Sequence, residues 1–155
     1  MWWRRLRYLL LLAALCSIAT CPSAKRACTA NTRAQEAEDL LSYLADKVAA
    51  TYASTGRLPP TAAGPTPTPS CCEQGGTCAV DPTVWTAPGW HELGFSIDDS
   101  YRYTYSYAPD PSGTSATLRA VGDLDCDDQR SLYEVKLTVV AGKVSRAWTR
   151  KDPYE

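Results

Sequence analysis

Residues 32–52 read TRAQEAEDLLSYLADKVAATY and repeat apolar side chains at spacings of three and four. The apolar positions are Ala34, Ala37, Leu41, Leu44, Val48 and Tyr52, with Leu40 widening the stripe. Thr32 and Gln35 match a capping box, in which the two side chains satisfy free backbone N–H groups at a helix start. Gly56 and the Pro59-Pro60 pair follow as stop signals. The pattern predicts an amphipathic α-helix of about twenty residues.

Beyond residue 100 the period of the sequence changes from that of a helix to that of a strand. Tyr101, Tyr103, Tyr105 and Tyr107 alternate with polar residues, which predicts one packed face of a sheet rather than a ligand-stacking platform. A turn over 109–113 precedes a second predicted strand over 115–121. Residues 132–140 and 143–148 predict a hairpin. We therefore predict an α+β fold, with a long N-terminal helix packed on an antiparallel sheet of about four strands.

Residues 57–90, between the helix and the sheet, form a proline-rich segment. Its prolines are Pro59, Pro60, Pro65, Pro67, Pro69, Pro82 and Pro88. Because proline lacks the N–H that helix interiors and central strands need, we expect neither a regular helix nor a central strand here. Loops of this length are uncommon inside small domains. We therefore expect cysteines to staple the segment.

Four cysteines carry the covalent hypothesis. Cys71, Cys72, Cys78 and Cys126 form an even set, which allows three pairings. Adjacent Cys71 and Cys72 are poorly placed to bond each other, so we expect one to pair with Cys78 and the other with Cys126. A zinc site is the rival, but the spacing lacks two C-x-x-C pairs and 7 cysteines in a short chain indicate an oxidising compartment. Cys28 is left as an odd thiol, free or available for an intermolecular bond.

The N-terminal residues have the pattern of an export signal. A basic start that includes Arg4, Arg5 and Arg7 precedes the apolar residues 8–19. That run is shorter than the roughly 20 residues of a membrane span and suits a signal peptide. Cleavage after Ala19 competes with a lipobox-like sequence ending at Cys21, which would then be lipidated. An uncleaved anchor is a third alternative.

These observations predict how the chain is divided. We expect residues 1–21 to be a signal peptide or lipoprotein anchor, 22–30 a short linker, and 31–155 the globular domain. The domain would then lie outside the cytoplasm, in the periplasm or at the cell surface. The membrane is an expected partner through the N-terminal anchor or lipid.

Composition excludes several functional classes. The 16 basic and 17 acidic residues give a formal net charge of −1, so we expect no nucleic-acid partner. A single histidine, His91, excludes a multi-histidine metal site and would have to serve alone as a catalytic base. The sequence has no G-x-S-x-G elbow and no phosphate-binding glycine pattern. We predict a protein that is not an enzyme.

Several segments, in their order and spacing, resemble the pilin-like proteins of type IV pili and type II secretion systems, including pseudopilins. The matching segments are residues 33–37, Cys71, Cys72, Cys78, Trp85, residues 90–95, residues 101–107 and residues 122–127. The resemblance covers about residues 33–148 and implies a pilin-like roll. It departs from the family at the N-terminus, which lacks the prepilin cleavage glycine, a following Phe or Met, and a glutamate before Glu36. We expect a pilin-like ectodomain behind a signal peptide or lipid anchor.

Two functional hypotheses follow from this resemblance. The first is a non-catalytic pilus or secretion subunit or accessory, whose partners are other envelope or pilin-like proteins. The alternative is a free-standing exported lipoprotein, a binding module or adhesin on the same scaffold. Trp85 and Trp90 are candidate interface residues, with burial under the loop as the competing interpretation. Retained apolar residues would favour the subunit, and lipid on Cys21 would favour the lipoprotein.

An acidic turn offers a candidate calcium site. Asp123, Asp125, Asp127 and Glu134 match positions one, three, five and twelve of a Ca²⁺ loop. Asp128 stands at position six, where such loops need glycine, and Glu134 falls in a predicted strand. The resemblance to major pseudopilins implies a Ca²⁺ site in the sheet-side loops. A solvated acidic turn tethered by Cys126 is the competing interpretation.

Overall fold

Helix α1 (Pro22–Thr55) is followed by strand β1 (Ala63–Thr66), two short 3₁₀ helices (Cys72–Gln74 and Pro82–Trp85) and helix α2 (Pro88–Leu93). Strands β2 (Thr104–Pro109), β3 (Ser115–Gly122), β4 (Ser131–Val140) and β5 (Lys143–Lys151) complete the fold. All five strands form one antiparallel sheet in the order β1-β2-β3-β4-β5. This computed structural model describes residues 22–154, with side chains from Asn31 onward. The predicted α+β class is confirmed, with five strands instead of about four.

Helix α1 is longer than its apolar stripe predicts. It has 34 residues, about 51 Å at 1.5 Å per residue, and residues 22–30, expected to be a linker, are helical. Thr32 therefore lies inside the helix, and the predicted capping-box start is wrong. Proline is tolerated in a first helical turn, and the alanine, lysine and arginine residues after Pro22 favour helix strongly. The helix ends as predicted, where Gly56 adopts a positive φ of 74° and donates to the Tyr52 carbonyl at 2.8 Å.

The core lies between the apolar face of α1 and the inner face of the sheet. Ala37, Leu41, Leu44 and Val48 of the helix are fully buried. The sheet contributes alternate residues, and the tyrosine row is buried as predicted. Its members Tyr101, Tyr103, Tyr105 and Tyr107 are at most 1% exposed. The four buried tyrosines thus form part of the surface against which α1 packs.

The proline-rich segment contains two regular elements that the sequence did not predict. Strand β1 includes Pro65 and pairs with β2 at the edge of the sheet, where a missing N–H is tolerated. Helix α2 has six residues and begins at Pro88, the helical position that proline suits best. The expected absence of helix in this segment is therefore wrong, because proline excludes helix interiors and not helix starts.

Three ion pairs fasten α1, one of them to Arg102 just before β2 and two to strand β5. Glu36 accepts hydrogen bonds from the Arg102 backbone N–H at 2.6 Å and from its guanidinium at 3.0 Å. On the other flank, Arg146 pairs with Asp46 at 2.7 Å and Arg150 with Glu38 at 2.6 Å. Burial raises the pKa of Glu36 above its ordinary value, and the Arg102 hydrogen bonds offset part of that increase. Helix and strand patterns do not show which charges meet, so the sequence does not predict these contacts.

Candidate functional site

One disulfide closes a loop within the proline-rich segment, and a second joins that segment to the turn after β3. Cys71 bonds Cys78, and Cys72 bonds Cys126, with Cα–Cα distances of 4.8 Å and 5.6 Å. This answers the choice that the sequence left open between Cys71 and Cys72. The first disulfide is buried, whereas Cys126 of the second is exposed. The Cys78 backbone also exchanges hydrogen bonds with Tyr101, at 2.8 Å and 3.3 Å, so the segment meets the start of the tyrosine row.

The second disulfide ends in the acidic turn of residues 123–128. Carboxylate oxygens of Asp123, Asp125 and Asp127 all lie within 4.8 Å of one another. Asp123 accepts from the backbone N–H groups of Asp127 and Asp128, at 3.1 Å and 3.0 Å. Hydrogen bonds from Gln129 hold the pKa of Asp127 below its usual value. The turn therefore presents a compact set of hard oxygen donors that is already organised by its own backbone.

Glu134 does not join this acidic set. It lies in β4 opposite Arg119 of β3, and its carboxylate accepts from Arg119 Nε at 2.8 Å. The structure therefore places Glu134 apart from the three aspartates, and calcium binding by the turn stays a prediction. The spacing of a Ca²⁺ loop assumes a helix after the turn, and the strand register places Glu134 against a guanidinium instead.

Trp85 and Trp90 lie in the core and not on the surface. They are 4% and 0% exposed, and their ring centroids are 5.3 Å apart at a near-perpendicular angle. Both also contact Phe95, at 5.4 Å and 5.2 Å between centroids. The Trp90 indole N–H donates to the Thr66 hydroxyl at 2.8 Å, which ties α2 to β1. Their burial agrees with the competing interpretation, in which both rings pack under the loop.

Two surface grooves lie beside α1 and beside β1. One, of about 740 Å³, runs along α1 and is lined by apolar Leu40 and Ile97 and by acidic Asp39, Asp98 and Asp99. The other, of about 530 Å³, lies between Pro65 and Pro67 on one side and the outer face of β2 and β3 on the other, and includes Arg102 and Arg130. His91 is exposed in α2 and its imidazole makes no hydrogen bond within the described residues. His91 lines neither of these two grooves.

The predictions for residues 1–21 concern a part of the chain that lies outside the described residues. Cys21 and the segment 1–21 lie beyond the described residues, and Cys28 lies within α1. Within residues 22–154, no helix is both long and apolar enough to cross a membrane. Comparison of the chain with protein-family models, with curated proteins and with solved structures finds no match. The functional conclusion therefore depends on the residues of this chain.

Proposed function

We propose that this chain is a non-catalytic, pilin-like cell-envelope protein that acts through protein–protein contacts, as a pilus or type II secretion subunit or accessory. The observation that carries the proposal is the position of α1. The helix begins at Pro22, directly after the segment with an export pattern, and its later turns pack on an antiparallel sheet. An N-terminal helix that leads from a membrane-directed segment into a packed domain suits a subunit held at the membrane surface.

The disulfides support the location outside the cytoplasm. Two bonds among four cysteines of one small domain are typical of proteins that fold in an oxidising compartment. The near-neutral net charge of −1 gives no reason to expect nucleic acid. An exported domain with a polar outer sheet face and open grooves therefore fits a contact role better than a chemical one.

The alternative is a free-standing exported lipoprotein that binds its ligand on the same scaffold. The groove beside α1 favours this alternative, because a concave surface lined by both apolar and acidic side chains can hold a ligand. Calcium binding by the acidic turn is compatible with either function. Lipidation of Cys21 separates the two.

The experiment is intact mass spectrometry of the protein purified from membrane and soluble fractions of the producing cell, with acyl labelling. A retained apolar segment supports the envelope subunit, and an acyl mass that disappears in Cys21→Ser supports the lipoprotein. The matched control is Cys28→Ser, which should leave the acyl mass unchanged. Recovery from the cytoplasm with all four domain cysteines reduced would contradict both functions.

A further inference from the structure

The two edges of the sheet differ in their capacity to accept another strand. The β1 edge has four residues and contains Pro65, which has no N–H to donate. The β5 edge has nine residues without proline. Within residues 22–154, no strand pairs with the outer side of β5. The β5 edge is therefore the open one.

The backbone groups on the open edge can be identified from the register. The N–H and C=O of a strand residue point to the same side, and that side alternates along the strand. The Val139 N–H donates to the Thr114 carbonyl at 2.8 Å, on the β3 side of β4. Val139 faces Val144, so the backbone groups of Val144 point away from β4. The register continues without a shift, and the residues with outward backbone groups are Val144, Arg146, Trp148 and Arg150.

The side chains around this edge are basic. Strand β5 carries Lys143, Arg146, Arg150 and Lys151 and no acidic residue. The arginines reach the inner face and pair with Asp46 and Glu38 of α1. The two lysines have no ion-pair partner within the described residues.

The neighbouring residues keep the edge basic. Lys136 is exposed opposite Ala147 on the outer face. Glu134, opposite Thr149, is neutralised by Arg119, and Asp152 follows the end of the strand. Lys143 and Lys151 therefore leave unpaired positive charge beside β5, which attracts carboxylates, whereas Lys136 also interacts electrostatically with Asp110.

The same charges disfavour a second copy as the occupant. If two β5 strands paired antiparallel over their full length, Lys143 of each would lie opposite Lys151 of the other. Like charges directly opposite each other destabilise a strand pair, and edge lysines are a known device against self-association. An acidic strand would turn each of these repulsions into an attraction.

We propose that the free edge of β5 binds an extended acidic segment of a partner protein as a sixth strand. This inference rests on the proposed function, since it assigns the protein–protein contact to one edge and one kind of partner. The outward N–H and C=O groups supply the main-chain pairing, and the lysines select glutamate or aspartate side chains. Pairing geometry limits the partner to an extended segment without proline at the bonded positions.

The test uses a synthetic peptide as long as β5, in which glutamate alternates with valine and threonine. Binding should slow hydrogen exchange at the amides of Val144, Arg146, Trp148 and Arg150, and should leave the amides between them unchanged, since those already bond β4. The matched peptide with lysine in place of glutamate should bind about tenfold more weakly or worse. No binding of the acidic peptide, or protection elsewhere than in β5, would overturn the inference.

Two pairs of variants make the result specific. Arg146→Pro removes one outward N–H, whereas Arg146→Ala removes the same ion pair and keeps that N–H. The proline variant should bind the acidic peptide about tenfold more weakly than the alanine variant. The double variant Lys143→Glu/Lys151→Glu changes only exposed side chains. It should bind the lysine peptide more tightly than the glutamate peptide. Unchanged preference in this folded variant would also overturn the inference.

Failure of this inference can be told from failure of the proposed function. A photo-crosslinking residue at Thr149 reports on the β5 edge in cells, and one at Thr117 reports on the middle of the outer sheet face. Crosslinks to envelope proteins at Thr117 without peptide binding would overturn the β5 site and leave the proposed function in place. Peptide binding by a protein that remains in the cytoplasm would overturn the proposed function and leave the β5 site.

Discussion

The helix–sheet region and the segment of residues 57–103 are stabilised in different ways. Helix α1 and strands β2–β5 bury alternate or helically spaced side chains, and ion pairs fasten their flanks. The intervening segment has one short strand and short helices, and is held by two disulfides and an aromatic cluster around Trp85 and Trp90. A small domain can therefore carry a long irregular segment when covalent bonds and large buried rings replace periodic packing.

The largest effect is expected from removing the Trp90 ring from the buried aromatic cluster. Trp90→Ala deletes a side chain that is 0% exposed and that donates to Thr66. The loss of packing should lower the free energy of unfolding by about 3–5 kcal/mol. Urea unfolding followed by far-UV circular dichroism measures it. The control, Val140→Ala, changes a residue that is 58% exposed and should cost less than about 0.5 kcal/mol. Equal effects of the two substitutions would show that the aromatic cluster does not support the fold.

Loss of the two disulfides should lower the stability of the domain by different amounts. In the chain-entropy model, removing Cys72–Cys126, with a sequence separation of 54, costs about 4 kcal/mol, and removing Cys71–Cys78, with a separation of 7, costs about 2 kcal/mol. Paired Cys→Ala variants isolate each bond, and calorimetric melting compares them. If the shorter loop proved the more costly to lose, native packing around the buried Cys71–Cys78 pair would outweigh chain entropy.

Periodic regions were predictable from the sequence, and contacts between regions were not. The period of α1 and the alternation of the tyrosine row indicate their buried faces directly, because each face follows from backbone geometry. The spacing of Thr32 and Gln35 is compatible with a helix start and with a helix interior, so the start at Pro22 was missed. Trp85 and Trp90 lie in an aperiodic segment, where no pattern distinguishes core from surface.

In the candidate site, too, the contacts of charged residues that are distant in sequence could not be predicted. Asp123, Asp125 and Asp127 are close in sequence, so any tight turn over these residues brings their carboxylates together. This cluster was therefore predictable. The position of Glu134 depends on strand register, and the Arg119 partner could not be read from the spacing. The sequence gives no reason to prefer Cys71 or Cys72 as the partner of Cys126. The fold determines that Cys72 is the one that bonds it.

A smaller change in stability is expected at Glu36 of α1. This carboxylate accepts hydrogen bonds from Arg102, near the end of the segment of residues 57–103. Because burial raises its pKa above the usual 4.5, the native state holds this proton more tightly than the unfolded chain. The stability from this linkage is fully present below the unfolded pKa and is lost as the pH rises through the folded pKa. The melting temperature of the parent should therefore fall relative to Glu36→Gln between pH 4 and neutrality, as measured by calorimetry. Parallel pH profiles of the two proteins would contradict this assignment.

The smallest effect concerns the acidic turn, which belongs to the sheet region and is tied to the irregular segment through Cys126. If the oxygens of Asp123, Asp125 and Asp127 bind Ca²⁺ with a dissociation constant near the roughly millimolar range of extracellular modules, a several-fold excess should stabilise the native state by about 1 kcal/mol. Calorimetric melting of the disulfide-intact protein measures this, with added potassium chloride matching the ionic strength. Asp125→Ala should abolish the shift, whereas Glu134→Ala should keep it, because Glu134 is held by Arg119 in β4. An unchanged melting temperature of the parent, together with no heat of binding, would contradict calcium binding. The turn would then be solvated, and its acidic side chains would only accept hydrogen bonds from its own backbone.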